Sequence, residues 1–216
     1  MNKIIEEIEN CSFTESRKQF LYKCFQYFES LNRPINILET GTQFSGKIGF
    51  TNVFAKFIKN YFGGTLTTID NDYGHIKLSK KYNKEYLDVI DHVCADSVKS
   101  ISGMPDSFIN SIDLFFLDSY ELDLHNPKPS SSHHLSELIS FFYRVNNNSF
   151  IAIDDNYMPN TWVELFFPDG RKEIFQTNDK TVGKGVDCHD FLIEKSWTRH
   201  DDIVFTGNNN VFLYSF

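Results

Sequence analysis

Five apolar runs in this 216-residue chain end on residues that can do chemistry. Ile35 to Leu38 leads into Glu39 and Gly41, and Leu66 to Ile69 into Asp70. Val89 to Cys94 leads into Asp96 and Ser97, Ile112 to Leu117 into Asp118, and Phe150 to Ile153 into Asp154 and Asp155. Parallel strands lie about 4.8 Å apart, so acids on neighbouring carboxyl ends converge on one ligand. Asp118, Asp154 and Asp155 would then offer oxygen donors suited to Mg2+, Ca2+ or Mn2+, with no nearby His/Cys set asking for zinc. A cation held there would bind a hydroxyl, lower its pKa and orient its oxygen, acting as Lewis acid and template. Taken singly, each acid is equally well a helix cap or a solvated turn residue. Taken together, Asp70, Asp118, Asp154 and Asp155 fit that plainer reading poorly.

The stretch GTQFSGK, from Gly41 to Lys47, fits two kinds of nucleotide-binding turn. It completes G-x-x-x-x-G-K, but Ile48 stands where a triphosphate loop needs a Ser or Thr hydroxyl for Mg2+. In that reading LFFLD or FIAIDD would supply the second metal-binding strand, and the chain would be a P-loop-like nucleotide hydrolase or kinase. Glu39 points the other way, because a carboxylate so close to a phosphate is repelled. Asp70 follows Gly46 by about two dozen residues, the separation at which dinucleotide folds place the acid that grips ribose hydroxyls. Asp96 and Ser97 could then bond the exocyclic amine and ring nitrogen of adenine. On this reading the turn serves a nucleoside, and Lys47 is a solvated residue of the first helical turn.

Such residues need a scaffold to bring them together. Helix candidates at 46–61, 74–86, 97–103 and 132–145 separate the five apolar runs, which is the pattern of an open parallel α/β sheet. The C-terminal stretch DIVFTGNNNVFLYSF reads as two strands around a Gly/Asn turn, making an antiparallel hairpin and a seven-stranded sheet in all. A helix is expected over 185–197. Residues 1–33 carry two amphipathic helices, Thr14 opening the second, which either pack on the sheet or pair two subunits. Residues 34–216 form the main domain, interrupted at 157–182 by an insertion with a turn at Pro168-Asp169-Gly170. Trp162 and Tyr157, beside Asp155, are candidates for a wall against a sugar or aromatic ring. The Phe-rich groups elsewhere read as core.

With 41% hydrophobic and 23% charged residues, the chain can bury a sizeable core as one domain. A net charge of −8 argues against a dedicated nucleic-acid binder and favours small, soluble partners. The four scattered cysteines fit a reduced compartment, and without an apolar span or signal-like start the expected location is cytoplasmic, away from membranes.

The segments ILETGTQFSGK, TLTTIDND, VCADSV, IDLFFLDSYE and FIAIDDNY, in this order, resemble the class I S-adenosylmethionine-dependent methyltransferases. VGKGVDCHDFLIEKSW and the terminal hairpin resemble the closing elements of the same Rossmann-like fold, which has helices on both faces of the sheet. Within the class the likeness is greatest to metal-dependent O-methyltransferases of small molecules and sugars. The resemblance implies a cofactor loop of Glu39, Gly41, Thr42, Ser45 and Gly46 beside the methionine part of S-adenosylmethionine. It puts Asp70 on the ribose, Asp96 and Ser97 at the adenine, and Asp118 between cofactor and reaction. Asp118, Asp154 and Asp155 would hold Mg2+ or a similar ion. Two departures stand out. Ser45 replaces a glycine common in relatives, and Glu121 stands three positions after Asp118, where relatives carry a Lys or His base. Glu121, His133 and His125 are the candidate bases, with His134 beside them; lacking the customary base, the chain could also be an inactive binding protein of the same fold.

Overall fold

The computed structural model describes residues 2–45, 49–145, 149–166, 169–205 and 209–216. Helix α1 spans Asn2–Glu9 and α2 spans Glu15–Leu31. Thr14 caps α2 by accepting from the Arg17 backbone N–H at 3.4 Å, and Asn32, left-handed at φ 49°, ends it. Between these caps, Phe20, Leu21, Cys24, Phe25 and Phe28 face inward, none more than 4% exposed. Phe20 lies 5.6 Å from Phe116 and 5.7 Å from Phe50, ring centre to ring centre. Truncating one such buried ring to alanine costs about 3–5 kcal/mol, so α2 is fixed rigidly on the sheet.

The sheet begins with β1 (Ile35–Thr40), β2 (Gly64–Asp70), β3 (Ile90–Cys94), β4 (Leu114–Leu117) and β5 (Phe150–Tyr157). These are parallel, in the order β3-β2-β1-β4-β5. Strands β6 (Trp162–Phe166) and β7 (Lys172–Gln176) form a separate antiparallel pair. Strand β8 (Val182–Gly183) joins the far end of β5, while β9 (Thr198–Arg199) and β10 (Asn210–Ser215) close the main sheet in antiparallel fashion.

Helices α3 (Phe50–Phe57, continued by a π-helical turn Ile58–Phe62), α4 (Tyr73–Tyr82), α5 (Ser97–Gly103), α6 (Asp106–Ile109), α7 (Lys128–Phe142) and α8 (Val186–Glu194) connect the strands. Strand β4 shows how the layers form. Leu114 and Phe116 enter the core shared with α1, α2 and α3, whereas Phe115 and Leu117 enter the core shared with α5 to α8. The strand order reverses between β1 and β4, which opens a crevice at their carboxyl ends. Among the described residues, no helix is long and apolar enough to cross a membrane.

The expected open, mostly parallel sheet is present, with differences at its edge. It has eight strands where seven were expected, because β5 runs on to Tyr157 and pairs there with β8. The closing hairpin pairs β10 with Thr198–Arg199, not with the 202–205 segment. That segment is docked on α2 instead: Ile203 is 1% exposed and the Val204 N–H donates to Gln19 Oε1 at 2.6 Å. The Gly/Asn turn at Gly207-Asn208 and Pro168 of the other turn lie outside the described residues.

Candidate functional site

The first loop leaves β1 over the end of β4. Gly41 has φ 87°, and a Cβ on it would sit 2.3 Å from the Asp118 carbonyl oxygen, so the crossing admits only glycine. Beneath the loop, Glu39 is 1% exposed and accepts from Thr51 Oγ1 at 2.7 Å. Burial pushes its carboxyl up to about 8 against the opposing hydrogen bonds from Thr51 and Thr68. Asp70 is held in place by three contacts: it accepts from the N–H groups of Asp72 at 2.8 Å and Thr42 at 3.3 Å, and His75 Nδ1 lies at 3.3 Å. Phe44 stacks on His75 with centres 3.7 Å apart.

Asp96 caps α5 by accepting from the Lys99 N–H at 2.9 Å, so here the plain capping role is also present. Ser97 turns its hydroxyl inward to Glu137. Glu137 is fully buried and also accepts from Ser119 Oγ at 2.8 Å and Thr40 Oγ1 at 3.1 Å, with His133 Nε2 at 3.2 Å. Burial opposes its charge, but His133, His134 and Ser97 outweigh burial and hold the carboxyl below its ordinary value. In return, the Glu137 hydrogen bond raises the His133 pKa against partial burial.

At the other end stand the three aspartates. Asp118 follows β4, while Asp154 and Asp155 lie within β5, Asp155 in a left-handed conformation at φ 52° that is strained for a residue with a side chain. Their carboxylates are already paired with cations of the chain. Arg17 donates from Nε to Asp154 Oδ1 at 3.0 Å, and from Nη2 to Asp154 Oδ2 at 2.5 Å and Asp155 Oδ1 at 3.0 Å. Lys184 Nζ reaches Asp118 Oδ1 at 2.6 Å and Asp155 Oδ2 at 3.0 Å. Lys184 sits between Gly183 and Gly185, where Cβ atoms would fall 2.6 Å and 2.8 Å from Asn156 Oδ1. That oxygen accepts the Gly185 N–H at 2.8 Å and so pins the lysine's backbone.

Burial pushes Asp154 up to about 7 against the Arg17 charge, with Asp155 and Asp118 pushing the same way. Burial likewise raises Asp118 from its ordinary value although Lys184 opposes it. Asp155 goes down: burial works against its charge, but Lys184 and Arg17 together prevail. For both cations burial alone would favour deprotonation, and the carboxylates reverse this and hold them charged.

An oxygen from each aspartate lies within 4.8 Å of the others, a spacing compatible with a cation. Five of the six carboxylate oxygens, however, already face Arg17 or Lys184, and a divalent ion would add its charge beside these two resident cations. As arranged, the donor set does not fit the divalent ion expected at Asp118, Asp154 and Asp155.

A single cavity of about 620 Å³ joins the two ends. Glu39, Gly41, Thr42, Ser45, Asp70, Asp96, Ser97 and Asp118 line it, as do Glu121, His133, Asp154, Arg17 and Lys184. Gly46 and Lys47 lie outside the described residues. Asp155 stands behind, shared between the two cations. His125 is directed to the insertion, where Nε2 lies 3.0 Å from Glu173. His134 is buried with Nδ1 2.7 Å from the Ser130 carbonyl, and burial pushes its pKa down to about 4. Trp162 is 63% exposed and Tyr157 donates to Asn209, so the wall expected from them is not part of the cavity lining. Sequence reasoning missed Arg17, Lys184 and Glu137. The local signals were the lysine between two glycines in VGKGVD and the i, i+4 pair in HHLSE.

No family model and no curated protein matches the chain. Among solved structures it is similar to an S-adenosylmethionine-dependent methyltransferase from Clostridium acetobutylicum ATCC 824, at 12% identity and a TM-score of 0.53, covering 96% of this chain and 93% of that one. It is also similar to an uncharacterized protein from Listeria monocytogenes serotype 4b, at 8% identity and a TM-score of 0.50, covering 89% and 66%. At these identities the likeness establishes the fold: a Rossmann-like methyltransferase fold with a mostly parallel sheet.

Proposed function

We propose that the chain is an S-adenosylmethionine-dependent methyltransferase acting on a hydroxyl of a small molecule or sugar. The observation that carries this is the single cavity with an acid at the end of β2 and a charged cluster at the ends of β4 and β5. Its volume of about 620 Å³ lies within the range for sites that enclose a small ligand. Asp70 grips the ribose hydroxyls, Asp96 borders the adenine with His133 alongside, and the turn at Gly41 and Thr42 meets the methionine part. A triphosphate suits this lining less well, since Asp70 and Asp96 both face the cavity.

The acceptor end suits a hydroxyl because it pairs an acceptor with a donor: Asp118 takes a hydrogen bond while Lys184 gives one. The acceptor oxygen attacks the sulfonium methyl in line with the C–S bond. The new O–C bond forms as the C–S bond breaks, with its electron pair left on sulfur, and the hydroxyl proton passes to Asp118. Glu121, which lines the same cavity, is the second candidate for that proton. The products are a methyl ether and S-adenosylhomocysteine, with no covalent enzyme intermediate. The test is incubation with S-adenosylmethionine and a panel of sugars, polyols and phenols. Homocysteine nucleoside should be released together with a mass gain of one methyl on a hydroxyl. Methyl found only on amine acceptors would contradict the oxygen assignment.

A further inference from the structure

We propose that Arg17 and Lys184 are the resident cations of the acceptor end and take the place of a divalent ion, so that the chain binds cofactor and acceptor without metal. This rests on the reading above only in calling that end the acceptor site. The oxygens themselves make the case. Asp154 gives both to Arg17; Asp155 gives one to Arg17 and one to Lys184; Asp118 gives Oδ1 to Lys184. A divalent ion needs an oxygen from each acid, and at Asp154 and Asp155 every oxygen already has a cationic partner with which the ion would compete.

Neither cation is a loose surface side chain. The Lys184 side chain is 4% exposed and that of Arg17 19%, against 72% for Lys128 on the surface. Arg17 stands in the first turn of α2, on the same face that Phe20 and Phe28 lock into the core. Lys184 is held by Asn156 between two glycines, of which Gly183 lies too close to the Asp155 and Asn156 backbone for a side chain. The pair comes from opposite ends of the chain, and its members meet at Asp155. The acids are therefore neutralised from within; Asp118 and Asp155 are similarly exposed, at 29% and 26%, but of the two Asp118 lines the cavity and is the one left open to an incoming group. For the acceptor hydroxyl, Lys184 supplies the positive charge and hydrogen bond that a metal would otherwise supply.

The test is a Mn2+ titration of the full chain, following the paramagnetic resonance signal of the free ion, with S-adenosylhomocysteine affinity measured on the same samples. The wild-type chain should leave the Mn2+ signal unchanged. Lys184→Met and Arg17→Met should each gain a Mn2+ site at least about tenfold tighter than wild type, because carboxylates lose their internal partner. Adding Asp154→Asn to Lys184→Met should abolish the gain. Uptake of one Mn2+ by the wild type, lost in Asp154→Asn alone, would overturn the inference even if the cation variants fail to fold. So would a folded Lys184→Met with no gain. Absence of homocysteine-nucleoside binding would count against the cofactor reading, while the Mn2+ result still decides the role of the two cations.

Discussion

The two ends of the cavity hold acids by different means. At the nucleoside end, Asp70 is fixed by backbone N–H groups from its own turn and the neighbouring one, and Asp96 by the first turn of the helix it caps. Each keeps capacity for a ligand, and the farthest of these partners, Thr42, lies 28 residues away on the adjacent strand's loop. At the acceptor end, Asp154 is paired with an arginine 137 residues away and Asp118 with a lysine 66 residues away. The first arrangement is a property of strand-to-helix turns. The second exists only once α2, β5 and the β8 loop are assembled. Ligand-gripping acids can therefore be local, whereas a self-neutralised charge cluster is a product of the whole fold.

The largest expected effect is on stability at the assembled end. Lys184→Met leaves Asp118 and Asp155 without their buried partner and should cost about 3–5 kcal/mol in urea denaturation. A loss below about 1 kcal/mol, the value of a surface pair, would erase the distinction between the two ends. Next comes binding at the local end: Asp70→Ala should weaken S-adenosylhomocysteine by about 1.5–3 kcal/mol in calorimetry while barely changing the denaturation midpoint.

The third prediction uses pH. Glu39 has its folded pKa raised to about 8, so folding favours its protonated form. That contribution is complete below the unfolded value of about 4.3 and is lost as pH rises through 8. Glu39→Gln should therefore gain on the order of 1–3 kcal/mol relative to wild type at pH 9 and little at pH 4. Equal effects at both pH values would show that burial does not govern this carboxyl. Asp155 has the opposite sign: its lowered pKa gives stability above the unfolded value of about 3.9 that is lost on further acidification. The smallest effect reaches the acceptor end through α2. Thr14→Ala removes the cap next to Arg17 and should cost about 1 kcal/mol of thermal stability, with no change in nucleoside affinity.

The same contrast governs what the sequence made legible. Apolar runs ending in acid located the carboxyl edge of the sheet, and the helix at 97–103 is reproduced residue for residue, because its cap and its strand are contiguous. Strand adjacency brought Asp118, Asp154 and Asp155 together on paper, and in the structure an oxygen of each lies within 4.8 Å of the others. What occupies the space between them was not legible, since no local pattern links Arg17 or Lys184 to acids on other strands. Glu137 was hidden for a related reason: on its helix it reads as one more polar residue, and only assembly brings Thr40, Ser97 and Ser119 to it. The C-terminal segment 202–205 was read as a strand because its alternation is strand-like, yet packing on α2 claims Ile203 before a ladder can.

The most direct test is calorimetric titration of the full-length chain with S-adenosylhomocysteine, ATP and GTP, each in Mg2+ and in chelator. The account predicts that the homocysteine nucleoside binds with the same affinity in both buffers and that neither triphosphate binds. Binding of ATP or GTP in place of the homocysteine nucleoside would contradict it.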